Sequence, residues 1–163
     1  MSRAFVKEDA PDVPVVVPPR PALPAGVPNY VTPDGLAALR AERARLEAER
    51  TALQDAAETA RQREVLTGRL RDLVARIAGA RVVDPTTQDR DDVRFGATVT
   101  VRRGGVEQTL QVVGVDEAAQ RDDAVAFTSP IARAVLGKRT GDVATLQTPR
   151  GDEPLEVVAV RYT

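Results

Sequence analysis

Apolar residues recur at helical spacing in two consecutive stretches between Thr32 and about Ala80. In the first stretch they stand three and seven positions apart, and in the second four, three and four. The positions are Leu36, Leu39, Leu46 and Leu53, and then Leu66, Leu70, Leu73 and Ile77. Because residues 54–63 carry no large apolar side chain, the pattern predicts two antiparallel helices joined by a polar bend.

The ends of this helical hairpin carry their own signals. Thr32 is a suitable N-cap, Pro33 suits the first helical position, and Asp34 favours the positive end of the helix dipole. Gly79 is expected to end the second helix. Residues 82–85 then lead out of the hairpin.

After a polar linker at residues 86–92 the apolar period changes to two. Five strands are predicted, the first two joined by a turn at Arg103–Gly104–Gly105. Ser129 and Pro130 start one brief helix, which ends before Gly137. The pattern therefore predicts a small antiparallel α+β domain at residues 93–163. Its expected apolar core is Phe95, Val99, Val101, Leu110, Val112, Phe127, Ile131, Val135, Leu136, Val143, Leu146, Val158 and Val160.

Residues 1–28 are rich in proline and form a separate segment. Such a composition predicts an extended polyproline-like or disordered tail acting as a spacer. A ligand for a proline-recognising domain is the alternative.

Composition excludes several kinds of chemistry. The 163 residues include no cysteine and no histidine, which rules out thiolate metal sites and Ser–His or Cys–His relays within this sequence. A metal site would use carboxylates, and hence a hard ion such as magnesium. The net charge of −1 gives no global attraction to nucleic acid or membranes. Neither a signal-peptide core nor an apolar run of about 18 residues is present, so we expect a cytoplasmic protein that does not enter membranes.

The bend carries the candidate chemistry of the hairpin. Asp55 and Glu58 lie there, and continuing the heptad places Arg43, Arg50 and Arg63 at positions near the seam. These arginines either extend their charged groups to solvent over a thin seam or form a basic flank able to hold a phosphate backbone.

Several ordered motifs of the chain are similar to those of one family. A Tyr-Val-Thr-Pro-x-Gly start at Tyr30, a Val-Val-Asp-Pro exit at Val82 and Phe95–Gly96–Ala97–Thr98–Val99 precede the strongest match. That match is the segment from Ser129 to Lys138, followed by Gly141–Asp142–Val143 and Thr148–Pro149. Over residues 29–163 the chain resembles the bacterial GreA/GreB transcript-cleavage factors.

The resemblance implies an N-terminal antiparallel coiled coil at residues 29–85 and a small FKBP-like sheet domain at its C-terminal side. In the family, that domain docks on RNA polymerase at the rim of the secondary channel, and the coiled coil enters the channel. Two carboxylates at its tip help to hold a magnesium ion of the polymerase, which then hydrolyses its own RNA. The chain would thus be a monomeric binding factor with no cofactor of its own, and any RNA cleavage would belong to the polymerase.

The resemblance assigns roles to particular residues of this sequence. Asp55 and Glu58 match the two tip carboxylates and would share the magnesium, whereas Thr59, Arg61 and Gln62 replace the Asn, Glu and Tyr of the family tip. Arg50, Arg61 and Arg63 are candidates to flank the RNA 3′ end. The expected polymerase-binding residues lie on the short helix and just after it: Ser129, Pro130, Ile131, Arg133 and Lys138.

The length of the hairpin bears on which of two functions is expected. From Thr32 to Asp55 an arm rising about 1.5 Å per residue spans roughly 35 Å, and family arms are several turns longer. The carboxylates would stop roughly 15 Å short of the active centre of the polymerase, a gap equal to the length of about ten helical residues. We therefore expect a regulator that occupies the channel; the alternative is an active cleavage factor using Asp55 and Glu58.

Two functions from other classes are also open. An FKBP-like fold could catalyse prolyl isomerisation, but that needs an aromatic-lined pocket and this domain offers only Phe95, Phe127 and Tyr162. A coiled coil could instead pair with a second copy, although the returning helix already covers the apolar seam.

Overall fold

A computed structural model describes residues 13–53, 55–88 and 91–163. The hairpin consists of α1 (Pro33–Ala52) and α2 (Ala57–Ala78). A short parallel strand pair, β1 (Asn29–Val31) and β2 (Ala80–Val82), closes its base. Asp84 caps a single 3-10 turn at Pro85–Thr87 that leads to the second domain. No described helix is long and apolar enough to cross a membrane.

The predicted seam of the hairpin is confirmed. Leu39, Leu46 and Leu73 are at most 2% exposed, and the other five predicted positions belong to or pack on the same cluster. The Thr32 hydroxyl accepts a hydrogen bond from the Gly35 amide, and Gly79 follows the last turn of α2. The start of α1 and the end of α2 therefore lie where the capping residues predict.

The C-terminal domain is one curled sheet with two short helices. In chain order its elements are β3 (Thr98–Arg103), β4 (Val106–Val113), α3 (Val115–Ala118), β5 (Ala124–Ala126), α4 (Pro130–Val135), β6 (Val143–Thr148) and β7 (Gly151–Arg161). The strand order is β5-β4-β3-β7-β6. Gly104 and Gly105 both have positive φ in the β3–β4 turn, as a type I′ hairpin requires. The α+β fold class, a coiled coil followed by a small sheet domain, is confirmed.

Two details of this domain differ from prediction. The sheet is mixed rather than antiparallel, because α3 carries the chain back so that β5 pairs with β4 in parallel. For the same reason there are two short helices where one was predicted. The turn of α3 interrupts an apolar run that the period-two pattern extended through Val115.

The predicted core is wrong at two positions, Val143 and Val158. Val143 is 61% exposed at the start of the edge strand β6. A β-bulge between Thr100 and Val101 of β3 leaves Val158 of β7 without a cross-strand partner. The bulge shifts the alternation of β7, so that Leu155 and Val157 are fully buried instead.

The proline-rich segment, as far as it is described, is extended but lies against the folded chain. Residues 13–28 contain no helix or strand, yet Arg20 forms side-chain hydrogen bonds with Glu42 of α1 and Asp116 of α3. The prediction of a disordered spacer is therefore wrong for this part. Residues 1–12 lie outside the described residues.

Candidate functional site

The tip of the hairpin places both predicted carboxylates in solvent. Asp55 precedes α2, whose N-cap is Ala56, and Glu58 lies in the first helical turn. Both residues are exposed. The Asp55 carboxylate forms an ion pair with Nη1 of Arg63, which lies eight residues further along the chain in α2. No group of three or more potential metal ligands occurs in the described part of the chain, so any ion held at the tip would need further ligands from elsewhere.

The arginines of both helices of the hairpin reach solvent to different degrees. Arg50 and Arg61 are exposed, and the Arg63 side chain is 39% exposed. Arg43 forms an ion pair with Glu47 along α1 at 2.9 Å. Charged groups that reach solvent and pair with neighbouring carboxylates agree with the interpretation of side chains extending over a thin seam.

The segment from Ser129 to Lys138 is held rigidly at the other end of the molecule. The Ser129 hydroxyl accepts a hydrogen bond from the Ala132 amide at 3.3 Å and caps α4. After the helix, the Gly137 amide donates to the Val93 carbonyl, and the Val93 amide donates to the Lys138 carbonyl. This pairing ties the end of the segment to the start of the domain.

The residues of this segment divide between core and surface. Val135 is 1% exposed, and Ile131 and Leu136 pack on the same core from partly buried positions. Pro130 and Arg133 are exposed, and Lys138 is half-buried. A docking surface here would consequently use Pro130, Arg133 and Lys138 directly, while Ile131 contributes mainly to packing.

The two sets of candidate residues are far apart. Tip and base are separated by α1, whose 20 residues span about 30 Å at the helical rise. The structure thus places Asp55 and Glu58 at the tip, with Arg63 paired to Asp55, and the residues of α4 elsewhere, so that the two sets do not form one joint site.

Aromatic rings connect the hairpin to the C-terminal domain. Tyr30 of β1 packs on Phe95 and Phe127, with ring centroids 5.9 and 5.6 Å away, and the two phenylalanines contact each other at 5.6 Å. A Cβ on Gly114 would lie 2.6 Å from the Tyr30 carbonyl oxygen, so the backbones meet closely here. We call the contacts of residues 29–35 with Phe95, residues 114–117 and Phe127 the interdomain joint.

Polar contacts complete the joint. The Thr32 hydroxyl donates to Oε2 of Glu117 at 2.6 Å while it caps α1. A Cβ on Gly35 would lie 2.7 Å from that same carboxylate oxygen. The Thr-Pro-x-Gly motif is therefore explained by the joint, since it supplies both the donor for Glu117 and the space that Glu117 occupies.

Several residues of this region were not predicted from the sequence: Arg20, Glu42, Arg76, Asp116 and Glu117. Their side chains are mostly buried although they are charged. Arg20 pairs with Glu42 and Asp116, and Arg76 lies 3.5 Å from Asp116, whereas Glu117 pairs with Arg121 of its own domain. One signal existed, because Arg20 is the only charged residue between Val13 and Pro28. Hydrogen bonds from Arg20 lower the pKa of Glu42 below its ordinary value.

Comparison with known proteins adds to this geometry. Residues 87–162 match the family described as "Transcription elongation factor, GreA/GreB, C-term". The transcription elongation factor GreA of Acidiphilium cryptum is 38% identical over 107 residues, which are 64% of this chain and 68% of that protein. The chain belongs to the GreA/GreB family.

Other GreA/GreB relatives give similar values. GreA of Thioalkalivibrio sulfidiphilus is 41% identical over 62% of this chain, and GreB of Neisseria meningitidis is 42% identical over 63%. The aligned parts are 66% and 63% of those proteins, so the chain spans a little under two thirds of the length of these relatives.

Solved structures of GreA/GreB-type proteins also resemble the chain. Gfh1, the GreA factor homolog 1 of Thermus thermophilus, is 22% identical, with a TM-score of 0.38 over 81% of this chain and 97% of that one. A GreA/GreB factor from Nitrosomonas europaea is 23% identical, with a TM-score of 0.40 over 82% of this chain and 98% of that one.

Proposed function

We propose that this GreA/GreB family member is an elongation regulator that binds RNA polymerase. Its C-terminal domain docks at the rim of the secondary channel, and its short hairpin enters the channel. The observation that carries this proposal is the joint, which connects a family-type C-terminal domain to a projecting hairpin with an exposed polar tip. Such a probe can occupy a channel while the domain holds it in place.

The length of the hairpin favours occupancy over stimulation of cleavage. From its cap to its last turn α1 spans about 30 Å, and magnesium–oxygen bonds are about 2 Å long. A carboxylate that stops several ångströms short therefore contributes nothing to metal binding. Any effect on transcription then arises from steric occupancy, and the factor itself is not an enzyme.

A working cleavage factor is the second candidate, supported by the exposure of Asp55 and Glu58 at the tip. Two carboxylates there could supply oxygen ligands to a magnesium ion of the polymerase. The Asp55–Arg63 ion pair would have to open first. Because solvent-exposed ion pairs contribute only about 0–1 kcal/mol, this pair alone does not prevent metal binding.

A prolyl isomerase receives less support from the structure. Phe95 and Phe127 pack against each other and Tyr30. The Tyr162 hydroxyl donates to the Asp92 carbonyl at 2.5 Å. The aromatic side chains that such a pocket would need are already engaged in packing and hydrogen bonding.

We infer a monomer acting in the cytoplasm. The leucine seam of α1 is covered by α2 of the same chain, so the described residues of the hairpin offer no apolar stripe to a second copy. Because a factor that binds RNA polymerase acts where transcription occurs, we place this protein in the cytoplasm.

The experiment combines binding with an RNA cleavage assay. Pull-down with core RNA polymerase tests docking, and backtracked elongation complexes incubated with magnesium test cleavage. We expect binding and altered elongation without RNA shortening. RNA shortening that disappears in the double variant Asp55→Ala/Glu58→Ala, but persists in the matched hairpin variant Glu64→Ala, would establish the cleavage factor instead. Absence of binding to core polymerase would overturn both.

A further inference from the structure

The proline-rich segment lies across the hairpin and reaches the C-terminal domain. Val17 sits on Gly68 of α2 so closely that a Cβ there would lie 2.5 Å from a Val17 methyl carbon. Three residues later the chain presents Arg20 to both domains. We call residues 17–21, Val-Pro-Pro-Arg-Pro, the strap.

Arg20 is the centre of the strap's polar contacts. Its Nη1 and Nη2 donate to the two carboxylate oxygens of Glu42, each at 3.0 Å. Its Nε and Nη2 donate to Oδ1 of Asp116 at 3.0 and 2.8 Å. One guanidinium therefore bridges α1 of the hairpin and α3 of the C-terminal domain, and its planar fork fixes both carboxylates in direction.

The bridge is shielded from solvent. The exposed fractions are 15% for the Arg20 side chain, 17% for Glu42 and 4% for Asp116. Charge pairs in such a setting are screened far less than surface pairs, and removing one partner leaves buried charge uncompensated. The contact is thus strong enough to hold an orientation.

A second tie joins the strap to the end of α2. Nη2 of Arg76 donates to the Pro21 carbonyl at 2.7 Å, and its Nη1 lies 3.5 Å from Oδ2 of Asp116. The Arg76 carbonyl in turn accepts a hydrogen bond from the Asn29 side chain. Both helices of the hairpin and the C-terminal domain consequently meet at the strap.

We propose that the strap fixes the direction of the hairpin relative to the C-terminal domain, with Arg20 as its positioning residue. The joint alone consists of a small aromatic cluster and one short polar contact at the base of α1, about which the hairpin could tilt. The strap adds a third point of attachment, which joins Asp116 to Glu42 further along α1. Its prolines restrict the free chain, so that little conformational entropy is lost when it binds.

This role also bears on the alternative for the proline-rich segment. Arg20, Val17 and the Pro21 carbonyl are engaged within the chain. A proline-recognising partner would therefore have to displace the strap.

Double electron–electron resonance on the free protein tests the proposal. The chain has no cysteine, so spin labels can be placed at Ala48→Cys on α1 and Gln147→Cys on β6, both exposed positions. We expect one narrow distance distribution for the parent protein. Arg20→Ala should broaden it, and Arg40→Ala, which removes an exposed arginine of α1, should not.

Gly68→Gln provides an independent test from the other side of the contact. The glutamine side chain requires the space of Val17 and should lift the strap, yet it raises the helix propensity of α2. Broadening is expected in a protein that stays folded, and Ala60→Gln on the exposed face of α2 should leave the distribution unchanged. If both Arg20→Ala and Gly68→Gln, folded by circular dichroism, keep the narrow parent distribution, the strap does not set the orientation.

The consequence for transcription rests on the proposed function. Arg20→Ala should bind core polymerase as the parent does, through the C-terminal domain, but lose the effect of the hairpin on elongation. Failure of the parent to bind polymerase would overturn the proposed function alone, since the distance measurement needs no polymerase. A broadened hairpin that still acts on elongation as the parent does would overturn the functional role of the strap.

Discussion

Thr32 shows how much one side chain does at the base of the hairpin. Its hydroxyl accepts from the Gly35 amide at 2.9 Å and donates to Glu117 at 2.6 Å, and the residue is 4% exposed. A cap that only starts a helix would need the first of these bonds alone. Thr32 therefore links the start of α1 to the C-terminal domain.

Thr32→Val should lower the free energy of unfolding by roughly 2–3 kcal/mol. Loss of the cap accounts for about 1 kcal/mol and loss of the hydrogen bond to a charged carboxylate for about 1.5 kcal/mol. Urea denaturation measures the change. Ser129→Ala, which removes a cap of α4 alone, should cost about 1 kcal/mol, and Thr32→Ser should cost little. Equal costs for Thr32→Val and Ser129→Ala would contradict the double role.

The free energy of unfolding should depend on pH through Glu42, and the sign of this dependence follows from the pairing of Glu42 with Arg20. Hydrogen bonds from Arg20 lower the pKa of Glu42 below its ordinary value of 4.5, with smaller contributions from the charges of Arg69 and Arg45. A carboxyl whose pKa falls on folding stabilises the folded state above its unfolded pKa, and this contribution disappears as the pH falls through the folded value. The parent should thus exceed Glu42→Gln in stability by a constant amount above about pH 4.5.

Below about pH 4.5 the difference between the parent and Glu42→Gln should shrink. Urea denaturation of both proteins between pH 3 and 7 measures it, a range that brackets the ordinary carboxyl pKa values of about 4. A difference that stays constant down to the lowest pH would show that the ion pair does not form.

At the scale of elements, the hairpin exit packs on the start of the C-terminal sheet. Pro85, which ends the Val-Val-Asp-Pro motif, is buried, and a Cβ on Gly96 would lie 2.6 and 2.8 Å from its ring. Gly96 also has a φ of +89°. The two motifs are separate in sequence but form one contact. This contact explains the proline of the first motif and the glycine of the second.

Substitutions at two glycines of similar conformation distinguish the cost of backbone strain from the cost of crowding this contact. Gly96→Ala and Gly137→Ala both place a Cβ at positive φ, +89° and +79°, which costs about 1–2 kcal/mol. Of these two glycines, Gly96 alone has a described neighbour within reach, since no residue that the structure describes lies within 4 Å of a Cβ at Gly137. We expect Gly96→Ala to cost an additional 1–3 kcal/mol or so from overpacking against Pro85. Unfolding in urea compares the two, and equal costs would contradict the packing argument.

At the scale of the molecule, the two roles that we propose, docking on polymerase and entering its channel, belong to opposite ends. The joint and the strap hold the hairpin against the C-terminal domain. The helix α4 lies on that domain, whereas the tip lies at the far end of the hairpin. An effect on binding should therefore come from the C-terminal domain and an effect on elongation from the hairpin. Substitutions at the two ends should be separable.

Charge reversal on α4 and just after it tests the docking end. Arg133→Glu and Lys138→Glu should each weaken binding to core polymerase about tenfold, equivalent to about 1.4 kcal/mol. Neither should change the free energy of unfolding by more than about 0.5 kcal/mol, because surface substitutions rarely do. Titration with labelled polymerase measures the affinity. Arg150→Glu in the β6–β7 turn is the matched control, and equal affinities for all three would exclude this face.

Local patterns in the sequence determined the elements and most of their packing. Leucine spacing gave the seam of the hairpin, because a helix repeats its faces regularly, and capping residues gave its ends, because their bonds are local. The paired glycines likewise predicted the β3–β4 turn. The carboxylates of the tip were also predictable, since they lie where the apolar pattern stops.

Tertiary structure decided what depends on distant partners. The bulge that shifts β7 arises from pairing with β3, so no period within β7 could reveal that Val157 rather than Val158 is buried. Parallel pairing of β5 depends on the path through α3. The strap depends on Arg20 meeting Glu42 and Asp116, 22 and 96 residues away. Charge buried by pairing resembles surface charge in a sequence, because burial is a property of the assembled chain.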